Sequence, residues 1–117
     1  MKSLIAFKLA TVGLIALSAA AASFAPPLKV VATTPDLASI AREIGGKAVD
    51  VTALAKPTED PHYVDAKPSH IVTLNRADVL IEGGAELELG WLPPLLENSR
   101  NAKIAAGAPV ASSPRRA

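Results

Sequence analysis

The chain has no cysteine. That excludes a disulfide framework, a thiolate metal site and lipid attachment through an N-terminal cysteine. It also lacks an excess of one charge: twelve basic and eleven acidic residues leave +1, which argues against nucleic-acid electrostatics as its main activity. Aromatic residues make up 3% of the sequence, and Trp91 is the single tryptophan. There is no Gly-x-Ser-x-Gly elbow and no convincing Ser/His/Asp set for nucleophilic catalysis. No His-Glu-x-x-His or paired His-x-His pattern is present, and Gly83-Gly84 lacks the spacing of a phosphate-binding loop.

Long apolar runs are also scarce. Leu9 to Leu17 is the longest uncharged one, preceded by Lys2 and Lys8 and followed by Ser18-Ala19-Ala20-Ala21-Ala22-Ser23. It falls short of the ~20 residues that cross a bilayer. The pattern reads as a cleavable secretory signal over residues 1–22, cut after Ala22 where Ala20 and Ala22 supply the small-x-small site. Loss of Lys2 and Lys8 with the leader brings the remainder close to neutrality. A single small domain, residues 23–106, is expected after it. The Pro/Ser/Ala-rich stretch 107–117 has no periodicity and reads as a disordered tail.

Within the domain, Leu28 to Thr33 has the β-branched, apolar character of a strand covered on both faces. Thr34-Pro35-Asp36 signals a helix start, and Gly45-Gly46 its end. Leu37, Ile40, Ala41 and Ile44 predict its buried face. Ala48 to Leu54 alternates as a second strand, with Val49, Val51 and Ala53 on one side. A helix is predicted from Pro68, a third strand over Asp78 to Glu82, and a last helix from near Trp91. That start places Pro93 and Pro94 in the first turn, where missing amide donors do no harm. Trp91 is expected in the core with Leu92, Leu95 and Leu96. Ala102 to Ala105 is expected to add a fourth short strand.

This order, β-α-β-α-β-α-β, predicts an α/β fold: a partial three-layer lobe around a mostly parallel sheet. Ligands in such sheets bind beyond the carboxyl ends of the strands. The loop from Ala55 to Lys67 leaves the second strand at that end. It carries Glu59, Asp60, His62 and Asp65, with His70 just after it. Neutral imidazole suits zinc, manganese and iron, and a nearby carboxylate can orient the ring from behind. By residue type alone, His62 is either a metal ligand or a solvated loop histidine. His70 is expected as an exposed helix residue, and Glu86 and Glu88 as solvated or capping carboxylates.

Thr33-Thr34-Pro35-Asp36, Ile44-Gly45-Gly46, Asp60-Pro61-His62, Pro68-Ser69, Ala77-Asp78-Val79-Leu80-Ile81 and Gly84-Ala85-Glu86-Leu87-Glu88 occur in this order. Together they resemble the amino-terminal part of the zinc/manganese-binding periplasmic solute-binding proteins of ABC importers. The likeness runs from about Leu28 to Ile104. It implies the N-terminal lobe of a two-lobed α/β protein, not an enzyme, that carries zinc, or alternatively manganese, to an inner-membrane ABC permease. The partners implied are the transition-metal ion and that permease. Contact with the membrane would be only through the transporter, and no nucleic acid is involved. The location implied is the periplasm. His62 maps onto the family's first metal ligand, with Asp60 behind it. Where many relatives have an acid after the Pro-Ser pair, this chain has His70. The family's remaining ligands belong to later segments, so a truncated form that binds metal weakly is expected. The alternatives are a metal-dependent adhesin or secreted interaction protein of the same fold, and a secreted hydrolase lobe using His62 with Asp60 or Asp65.

Overall fold

The computed structural model describes residues 25–108. The predicted signal at 1–22 and the tail beyond residue 108 lie outside the described residues. β1 (Leu28–Ala32) leads to α1 (Pro35–Gly45), a short 3-10 turn over Gly46–Ala48, and β2 (Val49–Ala53). α2 (Pro68–Asn75), β3 (Val79–Ile81) and α3 (Leu92–Ser99) complete the order. The three strands form one parallel sheet in the order β2-β1-β3, with Val30 opposite Val51 on one side and Val79 on the other. Because β3 returns past β2 to the far side of β1, right-handed crossovers place successive helices on opposite faces.

The alternation along β1 divides the core accordingly. Val30 and Ala32 pack with Val51, Ala38, Leu37 and Ala41 under α1. Val31 faces the other way, into a cluster with Leu74 of α2, Trp91, Leu92 and Leu95. The result is a three-layer α/β lobe, as the residue pattern predicts.

α1 begins where its sequence says. The Thr34 hydroxyl accepts from the Leu37 amide at 3.4 Å, and Pro35 takes the first helical position. Its buried face is rotated from the expected one. Ala38 is fully buried, whereas Ile40 is 55% and Ile44 83% exposed. Ala38 is the residue that meets the sheet, with Leu37 and Ala41 beside it, and Gly45 abuts the Val49 side chain so closely that a Cβ would clash. At about 100° per residue Ile40 and Ile44 both lie more than 90° round the helix from Ala38.

The fourth strand expected at Ala102–Ala105 does not form. Asn101 instead caps the end of α2: its Nδ2 donates to the carbonyls of Leu74 and Ala77 at 2.8 and 2.7 Å. Its own Oδ1 and carbonyl accept from the Lys103 and Ile104 amides. The two central amides of the segment are thus used locally and not in a ladder. Ile104 still reaches the core, from a turn.

Candidate functional site

The carboxyl ends of the strands carry most of the unusual chemistry. Pairing continues past β1, where the Thr33 amide donates to the Ile81 carbonyl and its carbonyl accepts from Ala55. Thr33 is fully buried, and its hydroxyl donates to Glu88 Oε1 at 2.6 Å. The same carboxylate accepts from the Gly83 amide at 2.6 Å and the Gly84 amide at 3.2 Å. Glu88 is only 6% exposed, so a solvated role does not hold. Its capping is of a turn, and a buried carboxylate is stable there because donors surround it. Gly84, Ala85 and Glu86 all adopt positive φ (73, 52 and 68°). For the two non-glycine residues this costs on the order of 1–2 kcal/mol each, and Glu88 fixes the turn that demands it.

The loop after β2 is shaped by its acids. Glu59 turns back to accept from the Lys56 amide at 2.7 Å, and this bond lowers its pKa. Asp60 does more. Its Oδ1 accepts from the His62 amide at 2.9 Å and lies 2.8 Å from His62 Nδ1. The first of these contacts, then the second, holds the Asp60 carboxyl below its usual range. With the proton of His62 on Nδ1, Asp60 accepts it and Nε2 keeps its lone pair for a cation. Both side chains are more than half exposed. Proline at 61 has a fixed φ, and its carbonyl accepts from Trp91 Nε1 at 2.8 Å. Val64, two residues after His62, anchors the loop in the core.

Of the sequence-predicted site residues, the structure brings His62 and Asp60 together. His70 does not join them and is not a plain exposed residue. Its half-buried ring accepts from the Lys67 amide through Nδ1 at 3.3 Å, capping α2. It has this role because Lys67 offers no side-chain acceptor. Burial first, and the charge of Lys67 second, push the His70 pKa down. Among the described residues no three His, Asp or Glu side chains are gathered as a metal cage. A separate cleft of about 400 Å³ lies between α3 and the turn at Gly84, lined by Glu82, Glu86, Leu89, Leu92, Leu96 and Glu97. It does not include His62. Burial, with the Glu88 charge adding, raises the Glu82 carboxyl there.

Sequence reasoning missed the contacts of Glu88 and of the Trp91 indole. The available signal was the cost of leaving a buried indole N–H or carboxylate without a partner.

A family model described as zinc-uptake complex component A, periplasmic, matches residues 30–115. The manganese ABC transporter substrate-binding lipoprotein PsaA of Streptococcus anginosus is 33% identical over 76 residues, which is 62% of this chain and 25% of that protein. The manganese-binding lipoprotein MntA of Bacillus subtilis is 38% identical over 86 residues, 70% of this chain and 28% of that protein. The crystal structure of ZnuA superposes with a TM-score of 0.60 at 26% identity, covering 68% of this chain and 30% of that one. The chain therefore spans about a quarter of the length of the curated relatives it matches.

Proposed function

The chain belongs to the family of periplasmic zinc-uptake complex component A, and on that premise we propose that it is metal-binding, solute-receptor material of an ABC importer rather than an enzyme. In this reading it acts outside the cytoplasm, exported by the signal at 1–22, and passes its cargo ion to a membrane permease. The cargo is zinc, with manganese as the alternative.

The observation that carries the reading is the pairing of His62 with Asp60 at the carboxyl end of the sheet. A carboxylate behind Nδ1 sets the tautomer and orients the ring so that Nε2 is left to ligate, the arrangement common behind metal-bound histidines. The names of the relatives, zinc-uptake for the family model and manganese for PsaA and MntA, support a transition-metal ion as the cargo.

One imidazole is a single member of the four-group set that zinc normally takes. The described residues thus supply one corner of a site, and this polypeptide by itself should hold zinc weakly. Titration calorimetry on the full chain should give a dissociation constant weaker than about 1 μM, with His62→Ala removing the heat. Nanomolar affinity that survives His62→Ala would overturn the assignment.

A further inference from the structure

Burial obliges the Trp91 indole N–H to find an acceptor, and the acceptor it finds lies beside His62. The Trp91 ring is 5% exposed, in the cluster with Leu54, Val64, Leu74 and Leu95. Its Nε1–H donates to the carbonyl oxygen of Pro61 at 2.8 Å. That oxygen belongs to the peptide joining Pro61 to His62. The other polar group of the same peptide, the His62 amide, donates to Asp60 at 2.9 Å. Both ends of one peptide plane are therefore fixed, from opposite sides and by different parts of the chain.

The rotations that would swing the imidazole are constrained at three points. The ring of Pro61 fixes its φ. The clamped peptide plane fixes the next dihedral, and the Nδ1–Asp60 contact fixes the ring itself. The clamp is tied to the sheet as well. The Trp91 amide donates to the Glu88 carbonyl at 3.2 Å, and the Glu88 carboxylate is bonded to Thr33, Gly83 and Gly84. A loop side chain is thereby referred to the rigid ends of β1 and β3.

Resting on the reading of His62 as a ligand, we infer that Trp91 is the positioning residue of the metal site, holding the Pro61–His62 peptide so that Nε2 is presented in one orientation. Pre-ordering of this kind lowers the entropy lost when the ion is taken.

The test is a zinc titration of the full chain, followed by nitrogen-15 NMR of the two histidine rings and the single indole. His70→Gln assigns the rings. The Trp91 indole N–H should shift with the same midpoint as the His62 ring, although it touches no ion. Trp91→Phe should weaken the zinc midpoint about fivefold, the worth of one ordinary hydrogen bond, and mix the His62 tautomers. Leu95→Ala, which loosens the same cluster, should leave midpoint and tautomer unchanged. An indole signal unmoved by zinc overturns the inference, as does an unchanged midpoint in Trp91→Phe. If Trp91→Phe does not fold, the indole co-titration in the unaltered chain decides. A His62 ring indifferent to zinc in the unaltered chain overturns both the inference and the ligand reading beneath it.

Discussion

The hydroxyl of Thr33 donates to the carboxylate of Glu88 at 2.6 Å, across 55 positions of sequence. This bond ties the end of β1 to a turn whose backbone is held at positive φ over three successive residues. Replacing Glu88 by Gln keeps the shape but turns an amide NH₂ toward groups that already donate. The loss should be about 1–3 kcal/mol, read as a lowered urea midpoint. Thr33→Val should lose less, since the two glycine amides still serve the carboxylate. A Glu88→Gln chain as stable as the parent would show that the bond contributes nothing.

Arg100 ends α3 in the left-handed conformation, with φ 50° and ψ 34°. Glycine is the residue that adopts this geometry without steric cost. Arg100→Gly should therefore raise stability by about 0.5–1 kcal/mol, seen as a higher melting temperature. Arg100→Val should lower it, because a β-branched side chain suits that region least.

His70 gives the fold a response to mild acid. Its pKa is depressed by burial and by Lys67, with Glu59 and Asp65 pulling the other way. A depressed histidine binds fewer protons folded than unfolded, so its contribution is present above the ordinary value near 6.5 and is lost as pH falls. Protonation also removes the Nδ1 acceptor that caps α2. Thermal melts between pH 7.5 and 5 should show stability declining toward acid. His70→Gln keeps an acceptor at the third helical position without a titrating group, and its profile should be flatter over that window.

Asp78 acts lower on the pH scale. Lys103 at 2.8 Å first, and the Lys29 amide at 2.9 Å second, hold its carboxyl below the ordinary range. A carboxylate lowered in this way contributes stability above its unfolded pKa, near 3.8, and loses it as pH falls through the folded value. Asp78→Asn should be less stable at pH 7 and should lose less on going from pH 5 to 2.5. Equal acid sensitivity in both chains would assign the loss to other carboxylates, Asp60 and Glu59 among them.

The local chemistry of this chain was readable without coordinates. Thr34-Pro35 starts a helix because capping and a fixed φ act within four residues. Val49, Val51 and Ala53 share a buried side because strand alternation is a property of consecutive residues. The prolines at 93 and 94 fall in a first turn, and Asp60-Pro61-His62 marks the loop at the carboxyl end of the sheet.

Tertiary structure decided the rest. Which side of α1 is buried depended on how the helix lies on the sheet, where Ala38 meets the strands and Ile40 and Ile44 stay outside against their periodicity. Whether residues 102–105 paired depended on Asn101 reaching the end of α2, 24 to 27 positions earlier. Trp91 was legible as core, but its indole bond to Pro61 spans 30 positions, and Glu88 is buried by partners drawn from two strand ends. By itself, then, the sequence determined the order of elements as far as α3 and the place of the His62 loop after β2, because these follow from short-range propensity and pattern. How that loop is held was settled only by folding, because burial obliges distant polar groups to find one another.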